Sequence, residues 1–317
     1  MTRKNIGIDR CKFELTFKTK QNNENKIVPI ISPSHYEFGE ISMERGKMIV
    51  SLCLPKYFEI HNAVPLKMER LKYFDEIGEC VKNTIRTNFD SPFKTELTSI
   101  EMNITEVFEN CDYEKVFLLF SHALLDKVKQ NARYEVKSDK SIVKPMTSGI
   151  KTRQIKGRYV IKAYDKRKQI EAEQGISITY SPIRIEFVFS RLALTKLFGK
   201  KRKIDDILSK AGLTILINAY IDTMCEVVCD FIYPYLEKVH EQMMIHIRKS
   251  GNIMETYCEF KEVIYDQEQL RRVLKQWYEE NDVNDNSRSA LSRLNQKFDL
   301  PKGTLKVIHE IITNFKK

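Results

Sequence analysis

The chain has 317 residues, 42% of them hydrophobic, enough for one large domain with an appendage or for two modest domains, each with its own core. Lys and Arg total 53 against 43 Asp and Glu, a formal net charge of +10 that favours an anionic partner such as nucleic acid. No apolar run reaches the length of a membrane span, the opening MTRKNIGIDRCKF lacks an apolar signal core, and seven scattered cysteines fit reduced thiols, so the expectation is a cytoplasmic protein without membrane or disulfide framework.

In RCKFELTFK, Cys11, Phe13, Leu15 and Phe17 alternate with Lys12, Glu14, Thr16 and Lys18, which predicts a strand with one buried face. KMIVSLCL reads as a second strand, with Met48, Val50, Leu52 and Leu54 on one side and Pro55 ending it. Helical spacing of Leu66, Met68, Leu71, Phe74, Ile77 and Val81 predicts an amphipathic helix over 66–87. LTSIEMNITEVF returns to alternation: Ile100, Met102 and Ile104 point one way, and Glu101, Asn103 and Thr105 the other. A helix is expected over 113–130.

GRYVIKAYDKRKQ, residues 157 to 169, reads as a strand in which Tyr159, Ile161 and Ala163 oppose Val160, Lys162 and Tyr164. Tyr164 sits among cations, with Arg158 and Lys162 before it and Lys166, Arg167 and Lys168 after it. After a turn near Gly175, SPIRIEFVFSR gives a strand whose faces carry Ile183, Ile185, Phe187 and Phe189, and Arg184, Glu186, Val188 and Ser190.

Past the basic run Lys200, Lys201, Arg202 and Lys203 the pattern is helical: a long stretch over about 204–248, then 266–280, 287–297 and 303–315. Cys225 and Cys229, four apart, lack a second ligand pair and are expected to be buried helix residues. The last two helices, joined at Asp299 to Gly303, fit either a helix-turn-helix or a hairpin packed on the main domain. The fold class is therefore α+β, a mostly antiparallel sheet with helices on one face and a helical C-terminal region, with domains expected at 1–200 and 201–317.

If the three later strands are neighbours, their polar faces gather Glu101, Asn103, Lys162, Tyr164, Arg184 and Glu186 into one patch, where charges either pair across strands or form a site. Two carboxylates can hold Mg²⁺ or Mn²⁺, and a tyrosine beside them can attack phosphorus once cations or the metal favour its phenolate.

In the order SIEMNI, GRYVIKAYDKRKQ, IRIEFVFSR, the chain resembles the rolling-circle replication initiators of small plasmids and filamentous phages, over roughly residues 8 to 198. SLCLPKYFEIHNAVPL, containing His61, adds to the phage-type likeness. The resemblance implies that Tyr164 is the nicking nucleophile, Lys166 the lysine of the Tyr-x-Lys element, and Glu101 and Glu186 the metal-binding acids. Thr105, Val188 and Ser190 stand where plasmid members carry further acids or a lysine. Arg184 and Lys162 are expected to stabilise phosphate charge, and Arg158 and Lys200 to Lys203 to contact DNA.

The implied reaction nicks one strand of a plasmid or phage origin, best presented as single-stranded or hairpin DNA. It leaves a 5′-phosphotyrosine and a free 3′-OH. The alternative is a non-catalytic origin-binding initiator or regulator. A homodimer and a host helicase are possible partners of either. No His-x-His pair and no tyrosine-recombinase series is present, Tyr180 is the weaker substitute nucleophile, and Tyr159, Tyr220 and Trp277 read as packing residues.

Overall fold

The computed structural model describes residues 6–17, 27–44, 47–59, 65–67, 70, 73–89, 94–108, 111–130, 143–146, 149–152, 155, 158–179, 182–199, 204–207, 209–282, 284 and 286–313. The alternating segments become strands of one sheet: β1 (Ile6–Thr16), β2 (Val28–Ile31), β3 (Glu37–Glu44), β4 (Lys47–Cys53), β5 (Leu66–Lys67), β6 (Lys94–Glu106), β7 (Val143–Met146), β8 (Gly149–Thr152), β9 (Tyr159–Asp165) and β10 (Ile183–Ser190). The order is β2-β3-β4-β1-β6-β10-β9-β8-β7, with β5 added to β1. The pairings of β1 with β4 and β6, and of β10 with β6 and β9, are all antiparallel.

By its internal contacts the chain divides into two units, Met1–Val107 with Met146–Asp222, and Phe108–Pro145 with Thr223–Lys317. This differs from a boundary at residue 200. The helix α2 (Tyr113–Gln130) leaves the strands that flank it and joins the C-terminal helices.

In the first unit, Ile185, Phe187 and Phe189 stand across from Ile104, Met102 and Ile100 on β6 and from Ala163, Ile161 and Tyr159 on β9, which makes one continuous apolar face. That face is covered by helices α4 (Arg191–Phe198), α5 (Ile204–Ile207) and α6 (Lys210–Val227). Tyr220 on α6 donates its hydroxyl to the Ile185 carbonyl at 2.9 Å and meets the Phe187 ring edge-on. Met102, Ile104, Ile161, Ile185 and Phe187 are all buried, each worth roughly 1.5–3 kcal/mol of transfer free energy.

The helix expected over 66–87 begins only at Phe74, as α1 (Phe74–Asn88). Leu66 and Lys67 instead extend to pair with Ile8 and Gly7 of β1, so their helical spacing is overridden by a sheet edge.

The second unit packs α7 (Tyr233–Ser250) against α2, α8 (Ile253–Phe260) and α9 (Gln267–Glu280), while α10 (Ser287–Phe298) packs on α9 and α11 (Thr304–Thr313) on α2. Asp266 caps α9 through a capping box and also accepts from the Leu305 amide at 3.1 Å, which ties the start of α11 to that of α9. His122 Nδ1 lies 2.7 Å from the Tyr265 hydroxyl, which in turn lies 3.0 Å from that of Tyr235.

The long helix expected over 204–248 widens into a π turn at Val228–Ile232, and Cys229 within it is exposed while Cys225 is half-buried. Neither cysteine is in the buried position that their spacing suggested. Among the described residues no helix is long and apolar enough to cross a membrane.

Candidate active site

β6, β10 and β9 are neighbours, and their register places Glu101, Asn103 and Thr105 opposite Val188, Glu186 and Arg184, which in turn face Val160, Lys162 and Tyr164. Residues directly opposite in an antiparallel pair share a face. The polar positions of three separate segments thus converge on the side of the sheet away from α4 to α6.

β9 ends at Asp165, whose carboxylate accepts from the Arg167 and Lys168 amides and so starts α3 (Lys166–Gln174), closed by Gly175 at φ 66°. Arg167 and Lys168 lie exposed on that helix, whereas Lys166 is fully buried and donates to Gln169 Oε1 at 2.6 Å. Across the sheet, Gly149 of β8 stands opposite Tyr164. A Cβ on Gly149 would come within 2.0 Å of the Ala163 carbonyl oxygen and 2.6 Å of Tyr164 Cβ, so only glycine lets β8 close over the tyrosine.

One further acid joins the face. The β1–β6 ladder slips between Ile8 and Arg10, leaving Asp9 as the extra residue of a β-bulge. Asp9 turns to the polar side, where Arg184 Nη1 donates to its Oδ2 at 3.1 Å. Carboxylate oxygens of Asp9, Glu101 and Glu186 lie within 4.8 Å of one another. The sequence carried the signal: the apolar phase runs Ile6, Ile8 and then Cys11, Phe13, Leu15, a slip of one residue.

The network is dense. The Tyr164 hydroxyl donates to Glu186 Oε1 at 2.5 Å. Lys162 Nζ bridges two acids, 2.9 Å from Glu101 Oε1 and 3.0 Å from Glu186 Oε2. Arg184 Nε donates to Thr105 Oγ1 at 2.8 Å, and the Thr105 hydroxyl donates to Asn103 Oδ1 at 3.1 Å. Asn103 Nδ2, on a fully buried side chain, has no hydrogen-bond partner among the described residues. Such a donor is costly to bury unsatisfied.

Burial alone would raise the Glu186 carboxyl, but Lys162, Arg184 and the Tyr164 hydroxyl outweigh it and hold it down to about 2. Glu101 goes the other way, raised by burial and by the charge of Glu186. Burial and the Glu186 charge push the Tyr164 phenol well above its ordinary value. Lys162 is raised because the two carboxylates outweigh its burial, while burial and Arg184 bring Lys166 down to about 8.

A cavity of about 200 Å³ opens here, lined by Asp9, Arg10, Glu101, Lys151, Lys162, Tyr164, Gln169, Glu173 and Glu186. Its lining holds four acids and three cations, and Arg184 behind it pairs with Asp9 and Glu186. Three oxygen ligands at this spacing fit a hard cation such as Mg²⁺ or Mn²⁺.

Arg158 is half-buried in the turn before β9, its carbonyl accepting from the Ser190 amide at 2.7 Å. Lys200, Lys201, Arg202 and Lys203, together with His61 and Tyr180, lie outside the described residues. Tyr159 is buried edge-on against Phe187, and Trp277 stacks edge-on against Tyr278. In comparisons with known proteins, no family model and no curated sequence matches this chain.

Proposed function

We propose that the chain is a DNA strand-nicking and strand-transferring enzyme, a replication initiator of the rolling-circle type acting on a plasmid or phage origin. The observation that carries this reading is the meeting of the Tyr164 hydroxyl with the Asp9, Glu101 and Glu186 carboxylates in one cavity. The segment order that resembles such initiators supports it independently.

Asp9, Glu101 and Glu186 would hold Mg²⁺ or Mn²⁺, which neutralises phosphodiester charge when bound. The Tyr164 oxygen bonds to phosphorus, the P–O3′ bond breaks, and the 3′ oxygen takes up a proton. The product is a 5′-phosphotyrosine and a free 3′-OH; reversal of the same step rejoins the strand. The phenol must first lose its proton, which it now donates to Glu186. Lys166, brought down to about 8, is the amine near Tyr164 able to exchange a proton close to neutral pH. Arg184 fixes Asp9 and Glu186, and Lys162, released from the acids, can meet the phosphate. The second unit would serve DNA binding, self-association or contact with a host helicase.

A second reading, an origin-binding initiator without catalysis, is favoured by one feature: Lys162 and Arg184 already neutralise the acids while the Tyr164 phenol keeps its proton and donates it to Glu186. The two separate on a denaturing gel after incubation with labelled single-stranded oligonucleotides tiled across the replicon's origin and Mg²⁺ or Mn²⁺. A covalent adduct that Tyr164→Phe abolishes supports the nickase. Binding without cleavage by either protein overturns it in favour of the second reading.

A further inference from the structure

The helix α10, SRSALSRLNQKF, contains three cations and no acid. Its Ala290, Leu291 and Leu294 are buried, and the helix packs on α9. The opposite face presents Arg288, Ser289, Ser292, Arg293, Gln296 and Lys297, all exposed.

Six other cations of this unit are paired with acids: Lys238 with Asp126, Arg248 with Glu280, Arg271 with Glu268, Arg272 with Glu237, Lys275 with Glu279 and Lys306 with Glu310. α9 and α11 each place a Glu four residues after a Lys. α10 does the reverse, setting Arg293 and Lys297 four apart, a like-charge spacing that costs an isolated helix a few tenths of a kcal/mol. Among the described residues none of Arg288, Arg293 and Lys297 has a carboxylate partner, and Arg293 makes only a long 3.4 Å bond from Nε to the Ser289 carbonyl.

We infer that this face of α10 docks on duplex DNA. At about 100° per residue Arg293 and Lys297 line one edge of the exposed face and Arg288 the other, so the cations flank the polar residues between them and can meet phosphates on the two sides of a groove. The serines, the glutamine and the arginines between and beside them are donors suited to phosphates and base edges, and a helix of this size enters the major groove. Charge complementarity selects a polyanion. The proposed function is used only to choose DNA among polyanions, and the chemistry of Tyr164 is not required.

The test is fluorescence anisotropy of the full chain with a labelled 30-base-pair duplex of mixed sequence across a range of NaCl. Arg288→Gln/Arg293→Gln/Lys297→Gln should lower the slope of log K against log salt by two to three, at about 0.9 per lost contact, and weaken binding at least tenfold at low salt. Lys275→Gln/Lys306→Gln, which removes paired cations, should leave the slope within one. Should the triple variant melt early, Ser292→Glu keeps all three cations, adds a carboxylate to the face and should weaken duplex binding by a similar factor. An unchanged slope and affinity overturns the inference. So does a slope that falls with a single-stranded 30-mer and not with the duplex. The covalent adduct on a denaturing gel reads the nickase separately from this duplex titration, so loss of the nickase reading leaves this result standing, and the converse holds.

Discussion

Lys162→Met removes the ammonium that lies 2.9 Å from Glu101 and 3.0 Å from Glu186. Its side chain is only 17% exposed, so the acids it leaves are poorly solvated. Breaking a buried pair costs about 3–5 kcal/mol, and the lower end applies because Arg184 Nη1 still lies 3.7 Å from Glu186 and Tyr164 still donates to it. A loss of about 3 kcal/mol lowers Tm by roughly 6–12 °C for a unit of this size.

Two further measurements make the reasoning specific. At pH 5 the deficit should shrink, because the Glu101 carboxyl is already raised and takes a proton in place of the lost cation. Mn²⁺ at pH 7.5 should restore stability, with a gain of about 2.7 kcal/mol at one hundred times its Kd, since Asp9, Glu101 and Glu186 then face no resident ammonium. Thermal unfolding of the full chain with and without Mn²⁺ gives both numbers. An unchanged Tm would refute the burial argument, and a lowered Tm that Mn²⁺ leaves alone would refute a metal site at the three acids.

Glu186 is held below its unfolded value of 4.5, at about 2, so its contribution is present above pH 4.5 and lost as pH falls toward 2. Urea unfolding across that window should show a loss of about 3 kcal/mol in the wild type that is missing from Glu186→Gln; parallel curves would refute the assignment. Gly149→Ala should destabilise the first unit by at least about 2 kcal/mol, because the atoms its Cβ meets are backbone and cannot swing away, and a Tm within 2 °C of wild type would show that β8 moves freely.

The period-two patterns put Glu101, Lys162, Tyr164, Arg184 and Glu186 on the polar sides of their strands, because a strand with a buried side leaves no freedom over where its alternate residues point, but only the sheet makes those strands neighbours. The α+β class and the helices α9, α10 and α11 were legible for the same reason. Asp9 escaped because a bulge breaks the period, and a reading that begins at Cys11 never meets the phase slip. The membership of α2 was hidden too: amphipathic spacing tells which side of a helix is buried, not which partner buries it. Leu66 and Lys67 were misassigned where a short apolar run fits both periods.

The bulge at Asp9 also makes the site separable from the sheet that bears it. Without Asp9, Ile8, Arg10 and Cys11 would follow one another in strict alternation opposite Met102, Glu101 and Ile100. A single-codon deletion would therefore take away one carboxylate and leave the hydrophobic lattice in register. Read in the direction of descent, an ordinary meander could acquire its third acid by gaining one residue at the edge of an established core.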